Sequence, residues 1–104
     1  MSEALSVVAI IKAKPGSEDT LCEVLEQLVA PTHREAGCME YVLHRGAEDR
    51  GVFVFTEKWK NQEALTEHLA SAHVRDALTR AGQYLAEPPA IIPLNRLSRE
   101  KQRA

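Results

Sequence analysis

The chain has little of what several large protein classes require. Its two cysteines, Cys22 and Cys38, form no CxxC pair and are too few for a disulfide framework, so they read as free thiols in a reducing compartment. There is no GxGxxG, GxxxxGK[ST], GxSxG or HExxH, which argues against nucleotide-dependent, α/β-hydrolase and zinc-protease chemistry. No excess of one charge exists either: 13 basic and 15 acidic residues leave a formal net charge of −2. That balance offers no electrostatic footprint for nucleic acid and no basic face for a membrane. No apolar run reaches bilayer length, and MSEALSVVAIIKAKPG lacks a charged segment followed by a long apolar one. A cytoplasmic protein is expected.

What is present fits one domain of 104 residues, with a core over about 5–97 and a basic tail over 98–104. Leu5 to Lys14 suits a strand covered on two sides, stopped by Pro15-Gly16. Ser17 is placed to cap a helix with Glu18 and Asp19 in its first turn; Leu21, Leu25 and Leu28 recur at helical spacing, with Cys22 and Val29. That helix is expected to run to about Ala30, where Pro31 kinks or ends it. CMEYVLHR and VFVFTEKW, joined by GAEDRG, read as an antiparallel hairpin. Asn61 then caps a short helix with Ala64, Leu65, His68 and Leu69 inward, and Ser71 caps another over about 72–84, with Val74, Ala77, Leu78 and Ala81 inward. Ala90 to Leu97 reads as a last strand whose Pro93 belongs at an edge, a bulge or an exchange with a second subunit. The order β-α-β-β-α-α-β is a ferredoxin-like α+β layout with helices on one sheet face. Because Val7, Val8, Ile10 and Ile11 make the first strand apolar both ways, the other face is assigned to an identical partner, giving a homodimer.

Chemistry concentrates around the third strand. Alternate residues Phe53, Phe55, Glu57 and Trp59 share one side of it, so three of the five aromatics surround a carboxylate. Such a carboxylate finds a partner, has its ionisation shifted by burial, or reaches water near a sheet edge. His68 ends one helix, where the dipole favours imidazolium, and His73 begins the next, where it favours neutral imidazole. His73, His68 and Glu57 are therefore the candidate catalytic residues, with Trp59, Phe55 and Tyr41 as candidate substrate walls; either parity of the second strand could bring Tyr41 to the pocket. Two histidines and Glu57 are also the ligand types of non-haem iron sites. The helix break between the histidines departs from the i, i+4 metal pattern, so no metal is assigned. His33 and His44 are read as surface residues.

The segments AIIKAKPG, LVAPTHREAGCMEYVLHRG, VFVFTEKWKNQEALTEHLASAH and LAEPP together closely resemble the antibiotic biosynthesis monooxygenase domain family, which includes small quinol monooxygenases. The most specific part is Glu57-x-Trp59, then His68, then Ser71-x-His73. The resemblance implies a dimeric α+β barrel, a pocket between sheet and helices, and chemistry without metal or organic cofactor. It implies a small electron-rich phenol or quinol substrate and molecular oxygen, with His73 or Glu57 taking a proton and His68 steadying the anion. Haem-degrading relatives carry an Asn in the first strand and a ligating His in the last helix; Val7 to Ile11 and Leu78 stand at the corresponding places here. Proton transfer next to a carbonyl, as in an isomerase, and a non-catalytic ligand-binding or stress-related dimer remain open alternatives.

Overall fold

The computed structural model describes residues 4–98, and the expected basic tail lies largely outside them. Four antiparallel strands form one sheet in the order β2-β3-β1-β4: β1 Leu5–Lys12, β2 Cys38–Arg45, β3 Val52–Trp59 and β4 Ala90–Leu94. The helices are α1 Glu18–Glu26, α2 Val29–His33, α3 Gln62–Ala70 and α4 Ala72–Ala81, followed by a 3-10 turn at Gly82–Tyr84. This is the ferredoxin-like α+β layout.

Strand parity sorts the core. Val7, Ala9 and Ile11 of β1, Tyr41 of β2, and Phe53, Phe55, Glu57 and Trp59 of β3 are buried on the sheet face that the helices cover. Leu21, Val24, Leu25 and Leu28 close the core from above with Leu65, Val74 and Ala77. The opposite face carries Val8, Ile10, Val42, Val54, Ile92 and Leu94, of which Val42, Ile92 and Leu94 stay exposed. A Met39 bulge interrupts β2–β3 pairing between Cys38 and Glu40, leaving Met39 exposed and Tyr41 opposite Glu57.

Several boundaries differ from expectation. The first helix ends at Glu26, and Pro31 sits within the first turn of α2, where its missing N–H costs no helical bond. Ser17 precedes α1 but its side chain makes no capping bond. The cap at Asn61 forms, its Oδ1 accepting from Ala64 N at 2.9 Å, and Ser71 Oγ accepts from Val74 N at 3.4 Å. Helix α4 stops at Ala81 rather than Tyr84, and β4 stops at Leu94, leaving Leu97 98 % exposed. Pro93 lies on an edge strand, where a missing donor on the open side is tolerated. Leu69 and Leu78 are partly exposed rather than inward.

Candidate functional site

Glu57 lies in mid-sheet, paired with Val7 on one side and Tyr41 on the other, and is only 6 % exposed. Its Oε1 accepts a 2.8 Å hydrogen bond from Trp59 Nε1, two residues along the same face. Burial penalises the charged carboxylate more than this bond supports it, and the pKa is pushed up to about 7. Glu57 is thus half ionised near neutrality. Burial also raises the Tyr41 phenol and the thiols of Cys22 and Cys38, which leaves the half-buried cysteines poor nucleophiles.

His68, in the last turn of α3, is 3 % exposed. Its ring lies 4.5 Å from that of Trp59 and 5.3 Å from that of Tyr41, and Tyr41 stacks on Phe55 at 4.7 Å. The helix dipole suggests an imidazolium here, but burial lowers the pKa of His68 and favours the neutral ring, against the pull of Glu35. Desolvation outweighs the dipole because the ring is enclosed by aromatics.

Glu35 escaped the sequence reading. It lies in the loop between α2 and β2, and its Oε2 accepts from His68 Nδ1 at 2.7 Å and from His73 Nε2 at 2.8 Å. Ser71 Oγ donates to the His68 carbonyl at 2.6 Å, fixing the kink between α3 and α4 that brings the histidines together. The two-histidine, one-carboxylate cluster is therefore Glu35, His68 and His73, with one ligand atom of each within 4.8 Å of the others. Glu57 is not part of it.

A cavity of about 40 Å³ opens between sheet and helices. Tyr41, Phe55, Glu57 and His68 line it, and the half-exposed Leu69, Leu78 and Ile91 rim it. Trp59 and His73 do not reach its wall; Trp59 backs His68 and holds Glu57, and His73 holds Glu35. The structure also settles strand parity, placing Tyr41 on the cavity side. A larger open trough of about 650 Å³ runs between α1 and β2. Its polar groups already have partners: His33 bonds the Tyr41 carbonyl and Cys22 bonds Glu26 within the trough, and Arg45 bonds Asp19 beyond it. His33 and His44 lie at the surface, as expected.

A largely apolar cavity holding a carboxylate poised near 7 beside a buried imidazole is equipped for proton removal from a small substrate. Residues 4–80 match the family model described as antibiotic biosynthesis monooxygenase. The chain belongs to the antibiotic biosynthesis monooxygenase family. Rv0793 of Mycobacterium tuberculosis is 31 % identical over 94 residues, covering 90 % of this chain and 92 % of that protein. YcnE of Bacillus subtilis is 27 % identical, covering 81 % of this chain and 88 % of that protein. The solved structure of PA3566 from Pseudomonas aeruginosa superposes with a TM-score of 0.87 at 35 % identity, over 94 % of this chain and 98 % of that one. Membership in the antibiotic biosynthesis monooxygenase family supports a monooxygenase-like function with a small-molecule substrate and oxygen. No helix among the described residues is long and apolar enough to cross a membrane.

Proposed function

We propose that this antibiotic biosynthesis monooxygenase domain oxygenates a small electron-rich phenol or hydroquinone, using the substrate itself as reductant and no cofactor. The observation that carries the reading is Glu57: a buried carboxylate with a pKa of about 7, on the wall of a cavity lined by Tyr41, Phe55 and His68. Glu57 takes the phenolic proton, which makes the substrate electron-rich enough to pass electrons to oxygen directly. One oxygen atom enters the ring, the other leaves as water, and all four electrons come from the hydroquinone. His68, neutral and with its Nδ1–H given to Glu35, keeps its other ring nitrogen as an acceptor that orients a substrate hydroxyl, and Tyr41 and Phe55 hold the ring in a dry site. Trp59 positions Glu57 and His68. His73 touches Glu35 rather than the cavity, so it acts as a positioning residue for His68.

At about 40 Å³ the cavity is far smaller than the ~300–1,000 Å³ of an ordinary small-molecule site. An aromatic substrate enters by displacing the side chains of Leu69, Leu78 and Ile91 at the rim. The exposed face of Val42, Ile92 and Leu94 supports pairing with a second copy, and a homodimer is part of the proposal.

The test is oxygen uptake by metal-free protein with a panel of hydroquinones and polyphenols. Loss of general-base catalysis typically costs ~10²–10⁴-fold, so Glu57→Gln is expected to reduce turnover by at least ~100-fold. Turnover unchanged in Glu57→Gln would remove the assigned base. No uptake above autoxidation in the wild type would remove the oxygenase reading and direct the search to isomerisation of carbonyl substrates.

A further inference from the structure

We infer that Glu35, His68 and His73 form a binding site for one divalent transition-metal ion of the zinc class. The three side chains come from separate elements: the loop after α2, the end of α3 and the start of α4. Their ligand atoms are gathered together, both histidine nitrogens on the same Glu35 oxygen at 2.7 and 2.8 Å and all three atoms within 4.8 Å of one another. Metal–ligand bonds of ~2.0–2.2 Å place neighbouring ligands roughly 3 Å apart, so rotation of the Glu35 side chain lets an ion replace the two hydrogen bonds with the backbone in place. Two imidazoles and one carboxylate suit zinc, cobalt, nickel and iron rather than calcium or magnesium.

The surroundings support a built site. His68 is held between Trp59 and Tyr41, and the Ser71 bond to the His68 carbonyl sets the spacing of the two histidines. His68 is 4 % exposed at its side chain, whereas Glu35 is 18 % and His73 25 % exposed. Ions therefore enter from the Glu35–His73 side, and water completes the coordination there. A metal on Nδ1 of His68 leaves Nε2 carrying the proton and turns the ring into a fixed hydrogen-bond donor for the adjoining cavity. The ion proposed here orients a side chain, and oxygen activation in the preceding reading does not pass through it.

Binding is read directly, without turnover. Untagged, chelator-treated protein is titrated with Zn²⁺ by calorimetry and with Co²⁺ by visible absorption, alongside Glu35→Gln, His73→Ala and, as a control, His44→Ala. One saturable equivalent is expected in the wild type and the control. Because even outer-shell changes cost ~10–100-fold in affinity, removal of a ligand should weaken binding by more than ~10-fold in both Glu35→Gln and His73→Ala. Absence of a saturable equivalent in the wild type overturns the inference. So does binding of wild-type strength in either ligand variant that retains its circular dichroism spectrum; the partly exposed His73 makes His73→Ala the variant that should fold in any case.

Discussion

Replacing Glu57 with Gln should stabilise the protein at alkaline pH while sharply reducing the proposed turnover. The carboxyl is raised from 4.5 to about 7 by burial in the folded chain. A raised pKa means that the folded state binds the proton more tightly than the unfolded state. The corresponding stability is complete below about pH 4.5 and is lost as pH rises through about 7. At 1.36 kcal/mol per pKa unit, the loss across that window is about 3 kcal/mol. Gln is neutral at every pH, nearly isosteric, and keeps an oxygen to accept from Trp59 Nε1, so the variant avoids the loss. Urea unfolding at pH 5 and pH 8.5, at one fixed protein concentration and followed by the fluorescence of Trp59, the single tryptophan, gives the comparison. The two proteins should be close at pH 5, and the variant should be more stable by up to about 3 kcal/mol at pH 8.5, on the order of 10 °C or more in Tm for a chain of this size. The difference between them cancels titrations common to both. An equal stability difference at both pH values would refute the claim that Glu57 resists ionisation, and with it the reason for its poise as a base.

The remaining expectations concern the frame around the site. Asn61→Ala removes the side-chain acceptor for Ala64 N and should cost about 1 kcal/mol in the same assay, largely restored in Asn61→Ser; an unchanged midpoint would show that the cap is dispensable. Gly37 passes so close to α3 that an added Cβ would run into the Ala64 methyl, while its carbonyl accepts from Lys60 N at 2.8 Å. Gly37→Ala should therefore destabilise by ~1–3 kcal/mol. The double variant with Ala64→Gly should lose less than the two single changes added together, and strict additivity would refute the clash.

Much of this arrangement is legible in the chain because strand parity is a strong constraint. The alternation Phe53, Phe55, Glu57, Trp59 could place those residues only on one face, and burial of the two phenylalanines decided which face. Asn61 and Ser71 announced the two short helices because an oxygen-bearing side chain before a helical pattern has a specific job there. Glu35 was not legible. A glutamate inside PTHREAG looks like one more solvated turn residue, and its partners His68 and His73 lie 33 and 38 positions away. Nothing local reports such a contact. The same holds for His68, whose helix-end position argued for a cation until the rings of Trp59 and Tyr41 closed around it. Leu69 and Leu78 fitted an inward helical stripe and instead became the cavity rim, because periodicity gives a direction but not how far the opposing surface extends.

The bend at Met39 and the position of His33 carry a consequence for assembly. Strand β2 is an outer strand, and such strands recruit others through their unused amides and carbonyls. Here the carbonyl of Tyr41 is already occupied by His33 Nε2 at 2.9 Å, and the bulge offsets the pairing two residues earlier. A newcomer aligning along this margin meets a broken ladder with one rung taken. Uncontrolled lateral growth is discouraged there, which leaves the broad apolar surface of the sheet for the proposed pairing of two copies, a contact with a natural limit.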